Sequence, residues 1–240
     1  MSGHSKWNNI NRKQEKTDAA RAKIFTKIGK EMAVAIRAGG PNPDSNSKLR
    51  ELIAKAKANN VPNENIERCI KKFKDSDVVY EEITYEGYGP GGVAVIVETA
   101  TDSRNRTAGD IRHYFDKCGG NMGVSGCVGF MFTDMGLITV EDEDGEIDEE
   151  KLMEDALEAG AADFKGEEGV YEIYTETSDL EAIAEDIRKK GYPVSTAEVT
   201  KVPSSYVTID NEEAAADMEK LLDLFDDNDD VTNVYHNWDN

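Results

Sequence analysis

The chain is poor in several of the features that mark whole classes of protein. No purely apolar run exceeds five residues, Val93–Val97 being one of them. About 20 are needed to cross a bilayer, so no membrane helix is expected. Met1 to Ile10 lacks the apolar stretch of a secretory signal. Three cysteines, Cys69, Cys118 and Cys127, are too few and too scattered for a disulfide framework, and they fit a reducing compartment. The expectation is therefore a cytoplasmic protein without a membrane partner. The three histidines, His4, His113 and His236, are far apart, and no cysteine pair has C-x-x-C spacing, so no metal site is expected. No G-x-S-x-G, P-loop or H-E-x-x-H motif occurs. No catalytic residue and no cofactor are assigned, and the chain is read as a non-enzyme.

What the chain has in excess is acid. Across 240 residues, 49 Asp and Glu oppose 28 Lys and Arg, a net charge of −21. Taken whole, that argues against a nucleic-acid binder. The distribution reverses the argument for one end. Residues 1–75 hold 17 basic and 8 acidic residues, whereas residues 76–240 hold 11 and 41. Charge this polarised points to two electrostatically different parts.

Hydrophobic spacing divides the chain further. Residues 1–16 are polar and aperiodic and read as a flexible basic tail. From Thr17-Asp18, apolar residues at Ala20, Ile24, Ile28, Met32 and Ala35/Ile36 follow a helical period that Gly39-Gly40-Pro41 ends. Ser45 or Ser47 can cap a second helix, and Pro62-Asn63 can open a third. Helices are also expected over 104–117, 149–159, 180–189 and 212–225. Strands are expected over 83–88, 93–99, 127–132, 137–140, 170–175, 196–202, 206–209 and 231–235, with a short one at 162–164. Within 134–203 the order is β-α-β-β-α-β. The fold class is multi-domain α and α+β: a helical domain over 17–77, then two ferredoxin-like-type α+β domains. One of these is discontinuous, 78–133 with 204–240, and holds the other, 134–203, as an insertion. Two sequential domains are the alternative.

Few segments carry candidate chemistry. Gly87-Tyr88-Gly89-Pro90-Gly91-Gly92 matches G-x-G-x-x-G, but a strand rather than a helix follows, so a glycine-rich hairpin turn is the expectation. Arg104 and Arg106 open a helix just after Thr101-Asp102-Ser103, against the helix dipole. They read either as part of an anion or phosphate site at that helix start or as a salt-bridged surface. Glu141 to Glu146 fails the calcium-loop template, since Val140 and Lys151 would stand at ligand positions. Asp226-Asp227-Asn228-Asp229-Asp230 reads as a solvated loop.

The basic end is the remaining candidate. Lys6, Arg12, Lys13 and Lys16 lie on the tail, and Arg21, Lys23, Lys27 and Lys30 on the first helix. Lys23, Lys27 and Lys30 are spaced four and three apart and share a face. Trp7 stands among them with no core to join, and a free aromatic beside cations can stack on a base. These nine residues are the expected nucleic-acid contacts. The alternative is a helix face neutralised by the acidic remainder of the same chain.

The same residues carry a resemblance. Gly3-His4-Ser5-Lys6-Trp7, Lys23-Ile24-Phe25-Thr26-Lys27, Asn65-Ile66-Glu67-Arg68, Tyr85 to Gly92, Asn105-Arg106-Thr107, Gly119-Gly120-Asn121 and Val234-Tyr235-His236-Asn237 together resemble the YebC/PmpR family, end to end. Cys69 and Cys118 depart from the small or polar residues expected there. The resemblance implies a cytoplasmic three-domain protein and a regulator of transcription that binds DNA. Relatives that activate mitochondrial translation or act on stalled ribosomes imply the alternative, a translation factor on ribosomal RNA. The expected partner is thus DNA or RNA, and the ribosome within the alternative. A small-molecule enzyme using the glycine loop is the third reading, against which the missing nucleophile-base and metal constellations count. Nothing in the sequence sets the oligomeric state, and a monomer is compatible with it.

Overall fold

The computed structural model describes residues 18–142, 144–167 and 169–239. Thr133–Val202 forms one compact unit, and the described residues on either side of it form another. The architecture is mixed α and α+β, in keeping with the expected fold class.

The first unit begins with three helices: α1 (Asp18–Gly39), α2 (Ser47–Ala58) and α3 (Asn63–Lys74). Ile28, Met32, Ala35 and Ile36 of α1 bury against Leu49, Leu52 and Ala56 of α2 and Ile66 and Cys69 of α3. The cap of α2 is Asn46 rather than either neighbouring serine. Its side-chain oxygen accepts from the Leu49 N–H at 3.1 Å, and its amide donates to the carbonyls of Ala35 and Gly40, both at 2.8 Å. An asparagine serves both helix ends at once because it carries acceptor and donors together; a serine hydroxyl has only one hydrogen to give.

The chain then builds a sheet in the order β3-β1-β2-β9 from β1 (Glu81–Tyr88), β2 (Ala94–Thr101), β3 (Asn121–Met122) and β9 (Val231–His236). The glycine motif is the β1–β2 hairpin turn. Gly91 and Gly92 hold φ of +70° and +80°, and the Gly89 N–H bonds the Val93 carbonyl at 2.8 Å. So short a turn leaves no chain for a crossover helix, and this sheet differs in that respect from the ferredoxin-like pattern. Helices α4 (Arg104–Lys117) and α7 (Glu212–Asp227) cover one face, where Val93, Val95 and Val97 meet Ile111, Phe115, Met218, Leu221 and Phe225. A parallel pair, β8 (Val207–Thr208) with β10 (Trp238–Asp239), completes the unit.

Of the expected strand 127–132, only Phe132 is extended, as the first residue of the strand that follows. The residues before it run through a 3-10 turn, Gly129–Met131, because Glu86 claims the amides a strand would need. Its carboxylate accepts from the N–H groups of Gly126, Val128 and Gly129 at 2.7, 2.8 and 2.7 Å. Burial alone would push that carboxyl up; the three amides outweigh it and hold the group below the usual value.

The second unit has β4 (Phe132–Glu141), α5 (Glu149–Ala159), β5 (Asp163–Glu167), β6 (Val170–Thr175), α6 (Leu180–Lys189) and β7 (Val194–Pro203). Its sheet order, β5-β6-β4-β7, is the split β-α-β arrangement, with β6 antiparallel to both β4 and β5. Ile138, Val140 and Ile173 pack against Leu152, Ala156, Ile183 and Ile187. Beyond Glu141, the Asp142 carboxylate accepts from the Glu146 and Ile147 N–H groups at 2.9 and 3.0 Å.

Candidate nucleic-acid interface

Lys23, Lys27 and Lys30 share one face of α1, and that face is occupied. It lies against the end of α7 and the loop leading into β9. Lys23 reaches Asp226 at 2.7 Å and Asp227 at 3.0 Å. Lys27 donates to the Asp226 carbonyl at 2.8 Å and to its carboxylate at 3.1 Å. Lys30 donates to the Asp229 carbonyl at 2.9 Å and to Asp230 at 2.6 Å. The Asp226–Asp230 segment is therefore not a solvated loop. Asp226 and Asp227 close a helix that has no basic residue in its last turn, where the dipole disfavours acids. Three lysines from a helix about 200 residues earlier supply the missing counter-charge.

The energetics differ along the row. At Lys23, burial works against the ammonium, but Asp226 and Asp227 overcome it and the pKa is raised. At Lys27, buried more deeply, desolvation exceeds the attraction of Asp226 and the pKa is lowered. Asp223, one turn earlier on α7, is pushed up by burial and by the carboxylates of Asp227 and Asp226.

Asp230 is the hub. Besides Lys30, its carboxylate accepts from Arg106 at 2.7 Å, Thr107 Oγ1 at 2.8 Å and Thr101 Oγ1 at 3.2 Å. Burial opposes its ionisation, yet these donors hold its pKa down at about 2. Arg106 also pairs with Asp102 at 2.9 Å, and the more exposed Arg104 pairs with Glu81 at 3.0 Å. The two arginines at the start of α4 are thus held by the protein's own carboxylates.

The structure brings together Lys23, Lys27, Lys30 and Arg106 of the expected site residues, through the aspartates. Arg104 stands apart from that hub, and Arg21 lies in the first turn of α1. Lys6, Trp7, Arg12, Lys13 and Lys16 fall outside the described residues. Asp226, Asp230 and Thr107 were not expected to take part. The signal available for the first was its place at the C-terminal end of a helix, where an acid needs a partner.

Two family models match the chain: "TACO1/YebC protein N-terminal domain" over residues 5–76 and "TACO1/YebC second and third domain" over residues 80–238. The chain belongs to the TACO1/YebC family. A relative in Acetivibrio thermocellus, named "Probable transcriptional regulatory protein", is 53% identical over 240 residues, covering 99% of each chain. One in Hathewaya histolytica, "Probable transcriptional regulatory protein ORF2U", is 54% identical over 239 residues, covering 99% of this chain and 96% of the relative. The crystal structure of a conserved hypothetical protein from Aquifex aeolicus superposes with a TM-score of 0.83 at 46% identity, over 92% of this chain and 91% of that one. No helix among the described residues of this TACO1/YebC member is long and apolar enough to cross a membrane.

Proposed function

We propose that this chain is a non-enzymatic, cytoplasmic regulator of gene expression that binds nucleic acid and acts in transcription. The observation that carries the reading is the full-length match to relatives named as transcriptional regulatory proteins. The polarised charge supports it, because an acidic body repels a polyanion and confines contact to the basic end. Lys6, Trp7, Arg12, Lys13, Lys16 and Arg21 are the proposed contacts there. Lys23, Lys27 and Lys30 join them only by exchanging aspartate for phosphate. Sedimentation of cell lysate with nuclease controls tests the reading. Co-sedimentation with DNA that DNase abolishes is expected. Association with ribosomes that only RNase abolishes would replace transcription by translation, and association with neither would end the nucleic-acid reading.

A further inference from the structure

Helix α3 is anchored by one face and leaves the other to solvent, with Lys72 Nζ over the Phe73 ring, 5.2 Å from its centroid. Ile66, Cys69, Ile70 and Phe73 join the core around α1. The opposite face carries Arg68, Lys71, Lys72 and Lys74, all exposed. Arg68 pairs with Glu64 at 3.1 Å. Lys71, Lys72 and Lys74 have no acidic partner among the described residues, in contrast to the lysines of α1.

Their spacing is costly in isolation. Arg68–Lys71 and Lys71–Lys74 are three apart and Arg68–Lys72 four apart, and like charges at those spacings destabilise a helix, a cost that Glu64 and Glu67, four residues before Arg68 and Lys71, offset only in part. The helix dipole favours a cation in the last turn, but it does not call for four in two turns. Asp75 and Asp77, which follow the helix, offset only part of the excess. At about 1.5 Å rise per residue the four cations cover roughly 9 Å, a reach of two to three phosphates along one strand.

We propose that the outer face of α3, through Lys71, Lys72 and Lys74 with Arg68 beside them, is the surface by which the helical domain holds the sugar-phosphate backbone of a nucleic acid. The inference rests on the nucleic-acid reading above and moves the contact of this domain from α1 to α3. The test uses the full chain in fluorescence anisotropy against a labelled duplex DNA and a single-stranded RNA of the same length, over a series of salt concentrations. The variant is Lys71→Gln/Lys72→Gln/Lys74→Gln; the control, Lys151→Gln/Lys189→Gln/Lys220→Gln, makes the same change in net charge elsewhere. For three lost contacts the slope of log affinity against log salt should flatten by about 2 to 3 units, while the control keeps the wild-type slope. Helix content by circular dichroism should stay unchanged, because all three side chains are exposed. The polymer on which the slope changes tells DNA from RNA. Binding by the α3 variant with the wild-type slope would overturn the assignment to α3 and leave the regulator reading intact. Failure of the wild type to bind either polymer at low salt would remove both.

Discussion

Replacing Asp230 by Asn removes one negative charge from the point where α1, β2, α4 and β9 meet. The carboxylate there serves Lys30, Arg106, Thr107 and Thr101, and its side chain is 6% exposed. Depression of its pKa from 3.8 to about 2 corresponds to roughly 2.5 kcal/mol at about 1.4 kcal/mol per unit. Arg106 is half exposed, so solvent screens part of that attraction, and the expected loss is about 1.5–2.5 kcal/mol. The folded pKa lies below the unfolded one. The contribution is therefore complete above about pH 4 and disappears as pH falls toward about 2. Urea unfolding followed by Trp238 fluorescence, in a Trp7→Phe background, reads the unit that contains Asp230, because Trp238 lies in its core. The difference between parent and Asp230→Asn should be largest near neutral pH and shrink through the acid range. A difference that is constant with pH, or below about 0.5 kcal/mol at neutral pH, would refute the hub as described.

Three other expectations follow from the same contacts. Arg106→Ala should destabilise the chain by about 1–2 kcal/mol in urea unfolding, whereas Arg104→Ala, an exposed pair with Glu81, should change it by less than about 0.5. If phosphate binding to the Arg104→Ala/Arg106→Ala double variant falls instead, with stability unchanged, the start of α4 is an anion site. Glu86→Gln should release the 126–129 loop, seen as faster amide exchange at Gly126, Val128 and Gly129 with a loss of about 1–3 kcal/mol. Excising residues 134–203 and closing the gap with a short linker should leave a remainder that unfolds cooperatively. Its failure to do so, with the excised segment also unfolded, would count against an inserted domain.

Helices that are amphipathic over three turns and bounded by caps or glycine were readable residue by residue: α4, α5 and α6 begin and end where the spacing places them. What failed was set by partners far along the chain. The run at 127–132 resembles a strand until Glu86, some forty residues earlier, takes the amides of Val128 and Gly129. β3 and β10, two residues each, are too short to show a period. The common face of Lys23, Lys27 and Lys30 is visible in their spacing, but its occupant lies about 200 residues away. A charge row reads alike whether it awaits a phosphate or already holds an aspartate.

The contact of α1 with the end of α7 makes the helical domain a tethered counter-ion for the rest of its unit. Cut away from it, Asp223, Asp226, Asp227 and Asp230 would face one another with only Arg106 left among the basic partners described. Asp223 is held up by its neighbours even with the lysines in place. The severed remainder would lose the lysines that lower the pKa of Asp226 and oppose the rise at Asp223. A fragment lacking the helical domain would thus keep its protons at the end of α7 to a higher pH than the intact chain, which holds them off with its own lysines.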